Sequence, residues 1–165
     1  MKLIDMHCDT IWKLMDLDKE GDMVENQCSI SIPGMKKAGT LAQFFACFLY
    51  VEDMAGRYEE GYRHAHEMID FMEGQTEKFQ KDIALAYSYD DVMKNAEDGK
   101  ISAILTVEEG GILNGDMGRL ETLYKRGIRL VTPMWNYENC IGFPNSRERS
   151  VMEKGLKPFG IEAVK

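Results

Sequence analysis

Nearly continuous apolar runs divide the chain, and each has the length of a β-strand. They cover residues 41–51, 101–107 and 128–132. Short runs of this kind, without regular polar positions, are typical of parallel strands that are covered on both faces. Residues 2–7 predict a further strand, because an apolar entry there gives way to alternating polar positions.

Segments with helical periodicity lie between the apolar runs. Residues 55–79 predict a long helix, because apolar side chains recur there at intervals of three and four positions. Two further helices are predicted from their terminal residues. One begins at Ser88 and ends at Gly99, and the other begins at Asp116 and ends at Gly127.

The remaining segments predict loops and short helices. Residues 11–18 are expected to be irregular or helical, and residues 26–34 to form a loop closed by a Pro33–Gly34 turn. Residues 136–153 predict a polar loop. A last helix is expected to begin just before Pro158, which suits the first turn.

Strands that alternate with helices imply βαβ units and parallel pairing. The pattern therefore predicts an α/β fold of four strand–helix units. Without repeats or linkers in the sequence, we expect one domain over residues 1–165.

Composition narrows the classes of function. The 165 residues carry a net charge of -8, which argues against nucleic acid as a partner, because phosphates require a basic face. A secretion signal is not evident and no apolar run approaches the roughly 20 residues of a bilayer span, so no membrane partner is expected. The 4 cysteines are scattered, which favours reduced thiols in a cytoplasmic protein.

Polar side chains at the end of the first predicted strand suggest a metal site. Asp5, His7 and Asp9 occupy alternate positions, so they share one face of an extended strand. An imidazole between two carboxylates can bind a divalent cation. The alternative is a surface strand end at which Asp9 caps the following helix.

A second predicted strand end carries a similar group. Glu108 directly follows the run at 101–107, and ligands gather at the carboxyl ends of parallel strands. His7, Asp9 and Glu108 are therefore expected to face the same edge. The alternative is an acidic loop that caps a helix. His64 and His66 lie on the long predicted helix, two positions apart, and are expected to be solvated or packed rather than metal ligands.

Several spaced motifs follow one another along the chain. They are Asp5-x-His7-x-Asp9, Ala-Gln-Phe-Phe at 42–45, Val-Glu at 107–108 with Gly-Gly at 110–111, Leu-Tyr-x-x-Gly-Ile-Arg at 123–129, and the loop at 135–145. Together they resemble the membrane (renal) dipeptidase family, bacterial type, over essentially the whole chain. The family consists of zinc metallopeptidases on an amidohydrolase-type, TIM-like (β/α) barrel.

The resemblance implies dipeptide hydrolysis at a site with two Zn²⁺ ions and a bridging hydroxide. By position, His7 and Asp9 would bind the first metal. Glu108 would be the catalytic carboxylate that bridges both metals. Glu109 is the alternative, because it places a second acid next to Glu108 where many relatives have a glycine.

Four other residues are expected to support the ligands or to contact the substrate. They are Asp5, Gln43, Trp135 and Asn136. Gln43 interrupts an apolar strand, so its amide needs a hydrogen-bond partner. Trp135 stands where mammalian members have a histidine that assists substrate binding.

The resemblance also implies that ligands from later strands are missing from these residues, which would form the first half of a barrel. Half a barrel leaves strand edges open, so we expect the C-terminal half, or a second copy in a homo-oligomer, as partner. A non-catalytic fragment or assembly module with at most one weak metal site is the alternative function.

Overall fold

The computed structural model describes residues 2–15, 21–50 and 56–165. Its strands are β1 (Leu3–Asp5), β2 (Thr40–Phe48), β3 (Ile83–Leu85), β4 (Ile101–Glu108) and β5 (Ile128–Thr132). Its helices are α1 (Thr10–Met15), α2 (Ile32–Ala38), α3 (Tyr58–Lys78), α4 (Tyr89–Glu97), α5 (Met117–Lys125), α6 (Arg149–Met152) and α7 (Pro158–Ala163), with a 3-10 helix at Gly110–Leu113. None of the helices in these ranges is long and apolar enough to span a bilayer.

All five strands pair in parallel, and β4 is the central one. On one side, residues 102–108 of β4 pair with residues 42–48 of β2, which in turn pairs with β1. On the other side, β3 pairs with residues 101–103 and β5 with residues 105–108. Two short strands thus share one edge of β4, and the carboxyl ends of β2, β4 and β5 lie together.

The core lies between the sheet and the long helix α3. Phe45, Leu105, Met68, Ile69 and Met72 are at most 1% exposed. Burial of side chains of this size stabilises the fold by roughly 1.5–3 kcal/mol each. Core packing of this kind holds β2 and β4 in place, and it does not involve the candidate site residues.

Helix termini form largely where the sequence predicts them. The Ser88 hydroxyl accepts the Asp91 N–H at 3.2 Å, and the Asp116 carboxylate accepts the Gly118 N–H at 2.8 Å. Gly127 follows α5 with φ at 100°, and a Cβ there would come within 2.5 Å of the Tyr87 ring. A glycine is therefore required for both conformation and space.

Three elements differ from the prediction. The expected loop at 26–34 contains the start of α2, since the Ser31 hydroxyl accepts the Gly34 N–H at 3.3 Å and proline is tolerated in a first turn. The strand β3 has only three residues, too few to show a periodicity. The polar loop at 136–153 includes the short helix α6.

The first strand is also shorter than predicted. It ends at Asp5 rather than at residue 7, where the Asp5 carboxylate accepts the His7 N–H at 3.3 Å. Such local bonds between side chain and backbone compete with the strand ladder. Residues 16–18, 51 and 55, at the limits of other predicted elements, lie outside the described residues.

Candidate metal centre

Three side chains from separate segments converge at the carboxyl edge of the sheet. His7 Nε2 lies 3.2 Å from Asp9 Oδ1 and 3.4 Å from Glu108 Oε2. One ligand atom from each of the three residues lies within 4.8 Å of the other two. The structure thus brings together the three residues that the sequence proposes as metal ligands.

The backbone explains how the two segments meet. After β1, the chain continues beside β2, where the Ala46 N–H donates to the Cys8 carbonyl at 3.0 Å. Ala46 in turn pairs with Thr106 of β4, two residues before Glu108. The Cys8 backbone therefore places its neighbours His7 and Asp9 level with the end of β4.

Two carboxylate oxygens beside His7 Nε2 are buried and accept no hydrogen bond from the part of the chain that the structure describes. Asp9 Oδ1 and Glu108 Oε2 have no hydrogen-bond partner among the described residues. Leaving an anionic oxygen buried without a hydrogen-bond donor is costly, so such atoms suit a site for a cation. Asp9 Oδ1 therefore does not accept a capping hydrogen bond from the helix that follows.

The distances suit zinc. Zinc bonds to nitrogen and oxygen of about 2.0–2.2 Å in a tetrahedron place neighbouring ligand atoms about 3.2–3.6 Å apart. The two distances from His7 Nε2, 3.2 and 3.4 Å, fall in this range. An imidazole and two carboxylates are also ligand types that zinc accepts. The residues present therefore fit the ion.

The charge around Glu108 agrees with a cation site. Burial raises the pKa of the Glu108 carboxyl, and the charges of Asp9 and Glu109 raise it further, while His7 lowers it. A divalent cation reverses this balance because it favours the ionised carboxylate.

Glu109, the neighbouring acid, faces a different environment. Its side chain is 1% exposed, and its oxygens accept three N–H groups. Oε1 accepts from Gly111 N at 2.7 Å and from Asn139 Nδ2, and Oε2 accepts from Trp135 N at 3.0 Å. With these donors in place, Glu109 links the end of β4 to the loop after β5 and does not join the cluster of His7, Asp9 and Glu108.

Asn139 is the residue at this edge that sequence reasoning missed. Its amide donates to Glu109 and to the Pro133 carbonyl at 2.9 Å, and its carbonyl accepts the Ile141 and Gly142 N–H groups. An asparagine two residues before an Ile-Gly pair is a turn signal that was available in the sequence.

Asp5 and Gln43 support the loop from behind. The Gln43 side chain is 1% exposed, and its Nε2 donates to the Phe44 carbonyl at 3.1 Å and to the Asp5 carbonyl at 3.4 Å. The hydrogen-bond partners of the Gln43 amide are therefore backbone carbonyls. Asp5 accepts the His7 N–H, as described above, so both residues hold backbone next to the cluster.

Trp135 belongs to an aromatic cluster at the same edge, and Asn136 beside it is exposed. The Trp135 ring lies 5.6 Å from Phe48 and 5.9 Å from Tyr50, between ring centroids. Phe48 is the residue opposite Glu108 in the sheet register. We call Trp12, Phe48, Tyr50, Trp135 and Tyr137 the aromatic wall.

A cavity of about 300 Å³ opens next to the cluster. Its lining includes Asp5, His7, Asp9, Lys13 and Cys28. The helix α3 carries the other two histidines away from it. His64 Nδ1 lies 2.8 Å from Glu67 Oε2, and His66 Nδ1 lies 3.0 Å from Arg126 Nη1, in line with their expected role outside the metal site.

Comparison with known proteins gives one family and a set of related folds. The family model for membrane dipeptidase (peptidase family M19) matches residues 1–165. Among curated proteins, an uncharacterized protein in the PQQ-III 3' region of Acinetobacter calcoaceticus is 23% identical over 150 residues. That alignment covers 79% of this chain and 47% of the relative.

Solved structures give the fold. A metallopeptidase from Rhodobacter sphaeroides, liganded with a phosphinate mimic of the dipeptide L-Ala-D-Ala, matches with a TM-score of 0.80 at 19% identity, over 99% of this chain and 55% of that one. The probable dipeptidase PvdM from Pseudomonas aeruginosa matches with a TM-score of 0.78 at 19% identity, over 98% and 42%. The chain thus spans about half the length of these relatives. The predicted α/β fold, part of a TIM-like barrel, is confirmed.

Proposed function

Because this chain belongs to the membrane dipeptidase family, peptidase family M19, we propose that it supplies part of a zinc centre that hydrolyses dipeptides. In this proposal His7 and Asp9 would hold one ion, and Glu108 would be a ligand of that ion and of a second one. The single observation that carries the proposal is the pair of buried carboxylate oxygens, without hydrogen-bond partners among the described residues, beside one imidazole nitrogen.

Each of the three side chains has a distinct task. His7 contributes a neutral nitrogen ligand, and Asp9 contributes negative charge that offsets the charge of the ion. Glu108 suits the bridging role because a carboxylate has two oxygens, whereas an amide would offer only one. When bound, zinc would polarise a carbonyl and activate water.

The substrate belongs to the same proposal. Family membership favours a dipeptide, and the structurally similar enzyme from Rhodobacter sphaeroides is liganded with a mimic of L-Ala-D-Ala. The cavity beside His7 and Asp9, about 300 Å³ in volume, offers room at the required place. L-Ala-D-Ala is therefore the first substrate to test.

We propose further that the remaining strands of the barrel cover the open edges of the sheet. Leu3, Ile4 and Met6 beside the β1 edge are 40, 53 and 59% exposed. An apolar groove of about 500 Å³ lies between α5 and β5. Exposed apolar surface at a strand edge marks an interface. The later strands can come from the same polypeptide, from another one, or from a second copy of this chain.

Zinc titration of the chain tests the ligand set. We expect one tight zinc site, and His7→Ala should weaken it by at least about 100-fold, because a direct ligand matters more than the outer partners, whose loss costs 10–100-fold. His64→Ala is the matched control, since His64 lies on α3, and should change the affinity less than about twofold. Equal affinities in all three proteins would contradict the assignment.

Hydrolysis of L-Ala-D-Ala tests the activity. The zinc-loaded assembly that contains the remaining strands should bind two ions and release alanine, and a chelator should abolish the reaction. Chelator-resistant hydrolysis would contradict the zinc proposal. If a complete assembly bound zinc but cleaved no dipeptide, the non-catalytic alternative would replace it.

A further inference from the structure

The buried carboxylate of Glu109 connects the metal centre to the aromatic wall. Glu109 follows Glu108 directly, and its Oε2 accepts the backbone N–H of Trp135 at 3.0 Å. The Trp135 ring packs on Phe48, which lies opposite Glu108 in the register. One side chain therefore connects the Trp135 backbone to the residue that follows a proposed ligand.

The bond to Asn139 extends this control to the whole loop. Asn139 is 4% exposed, and it donates to Glu109 Oε1 and to the Pro133 carbonyl. The Asn139 amide thus joins the Pro133 carbonyl, on the other side of Trp135 in the sequence, to the buried carboxylate of Glu109. Among the described residues, no other side chain accepts a hydrogen bond from the backbone N–H of Trp135.

We propose that Glu109 is a positioning residue that fixes Trp135 against the substrate side of the centre. This inference rests on the proposed function and adds to it a contact of the Trp135 ring with the dipeptide, because that ring packs on Phe48, opposite Glu108. Glu109 itself touches neither metal nor substrate in this proposal. It acts through the backbone of the loop at residues 133–142.

Glutamine at this position discriminates between positioning and simple volume. All three groups that face Glu109 are N–H donors, from Gly111, Trp135 and Asn139. A glutamine has nearly the same size but offers one oxygen and one NH₂ group. In either orientation of the amide, at least one donor faces another donor, so the variant Glu109→Gln must break part of the clamp.

The test combines hydrogen exchange with fluorescence. In Glu109→Gln, the amide proton of Trp135 should exchange at least about tenfold faster than in the parent chain. In a Trp12→Phe background Trp135 is the single tryptophan, since the sequence has 2, and acrylamide should quench it more strongly in the variant. Glu97→Gln, on the exposed end of α4, is the control and should change neither value.

Kinetics of the zinc-loaded enzyme add the functional readout. Glu109→Gln should raise the KM for L-Ala-D-Ala about tenfold, with kcat changed less than about threefold and zinc stoichiometry unchanged. Unchanged exchange, quenching and KM would overturn the inference. Loss of zinc in the same variant would also overturn it, because Glu109 would then belong to the ligand set.

A second variant and a measurement of unfolding keep the outcomes separate. Glu109→Asp keeps the charge but shortens the side chain, so a partial effect on exchange is expected. If neither variant unfolds cooperatively, Glu109 is a determinant of the fold and the positioning role is wrong. If the parent enzyme hydrolyses no dipeptide, the proposed function fails, whereas exchange and quenching of Trp135 still decide whether the clamp exists.

Discussion

Two glutamates that follow one another in sequence have opposite environments at the end of β4. Glu108 turns towards His7 and Asp9 a buried oxygen that accepts no hydrogen bond from the described residues. Glu109 turns to the other side and satisfies its oxygens with three N–H donors. Under the proposed assignment of Glu108 to the metal centre, burial alone would not distinguish the two acids. The informative feature is whether the protein itself satisfies the buried oxygens.

The largest expected effect is on zinc affinity. Glu108→Gln should weaken zinc binding at least about 100-fold, because it removes a charged ligand. Glu109→Gln should change the affinity less than about threefold. A competition titration with a chromophoric chelator measures both variants under identical conditions. Similar losses in the two proteins would remove the distinction between the glutamates.

The stability of the metal-free chain should show the reverse order. Glu109→Gln should lower the free energy of unfolding by about 1–3 kcal/mol, because buried donors lose their acceptor. Glu108→Gln should leave it unchanged or raise it by up to about 1 kcal/mol, because relief of a buried charge offsets the lost contact with His7. Urea unfolding with chelator present measures both. A greater loss in the Glu108 variant than in the Glu109 variant would contradict this order.

Asp22 is a third acid that accepts several hydrogen bonds, but it lies near the surface, so it can be compared with the buried Glu109. Asp22 accepts the Val24 and Glu25 N–H groups and the Lys78 ammonium, the last at 2.6 Å. The bond from Lys78 and the backbone N–H groups lower the pKa of Asp22 from 3.8 to about 2. Because this site is near the surface, Asp22→Asn should cost only about 0.5–1 kcal/mol at pH 7.

The pH dependence of this difference has a definite sign. A carboxyl whose pKa is lowered on folding stabilises the protein at pH values above its unfolded pKa. The difference between the parent chain and Asp22→Asn should therefore be constant above about pH 5. It should shrink as the pH falls through 3.8 towards about 2. A difference that grows on acidification would contradict this assignment.

Much of the site could be predicted from sequence because it depends on local order. The apolar runs placed β2 and β4, and parallel pairing then brought Glu108 to the same edge as His7 and Asp9. The caps at Ser88 and Asp116 were readable because the bonds involved span two or three residues. Such features require no knowledge of distant contacts.

The parts that could not be predicted depend on distant partners. Asn139 donates a hydrogen bond to Glu109 across 30 positions of the sequence, and no local pattern near either residue predicts the other as its partner. The strand β3 forms only because the start of β4 is available to pair with it. Pro33 lies in a first helical turn, and it predicts a turn instead unless the N-cap at Ser31 is considered together with it.

The two environments at the end of β4 also make the site sensitive to alignment of the chain. Side chains alternate between the faces of a strand, so a shift by one residue exchanges the faces of neighbours. β4 is held on both edges, by β2 over residues 102–108 and by β3 and β5 at its two ends. A one-residue insertion within β4 would therefore put Val107 in the place of Glu108 and turn Glu108 to the loop, so that an error of length here should abolish the proposed metal binding without removing a single ligand.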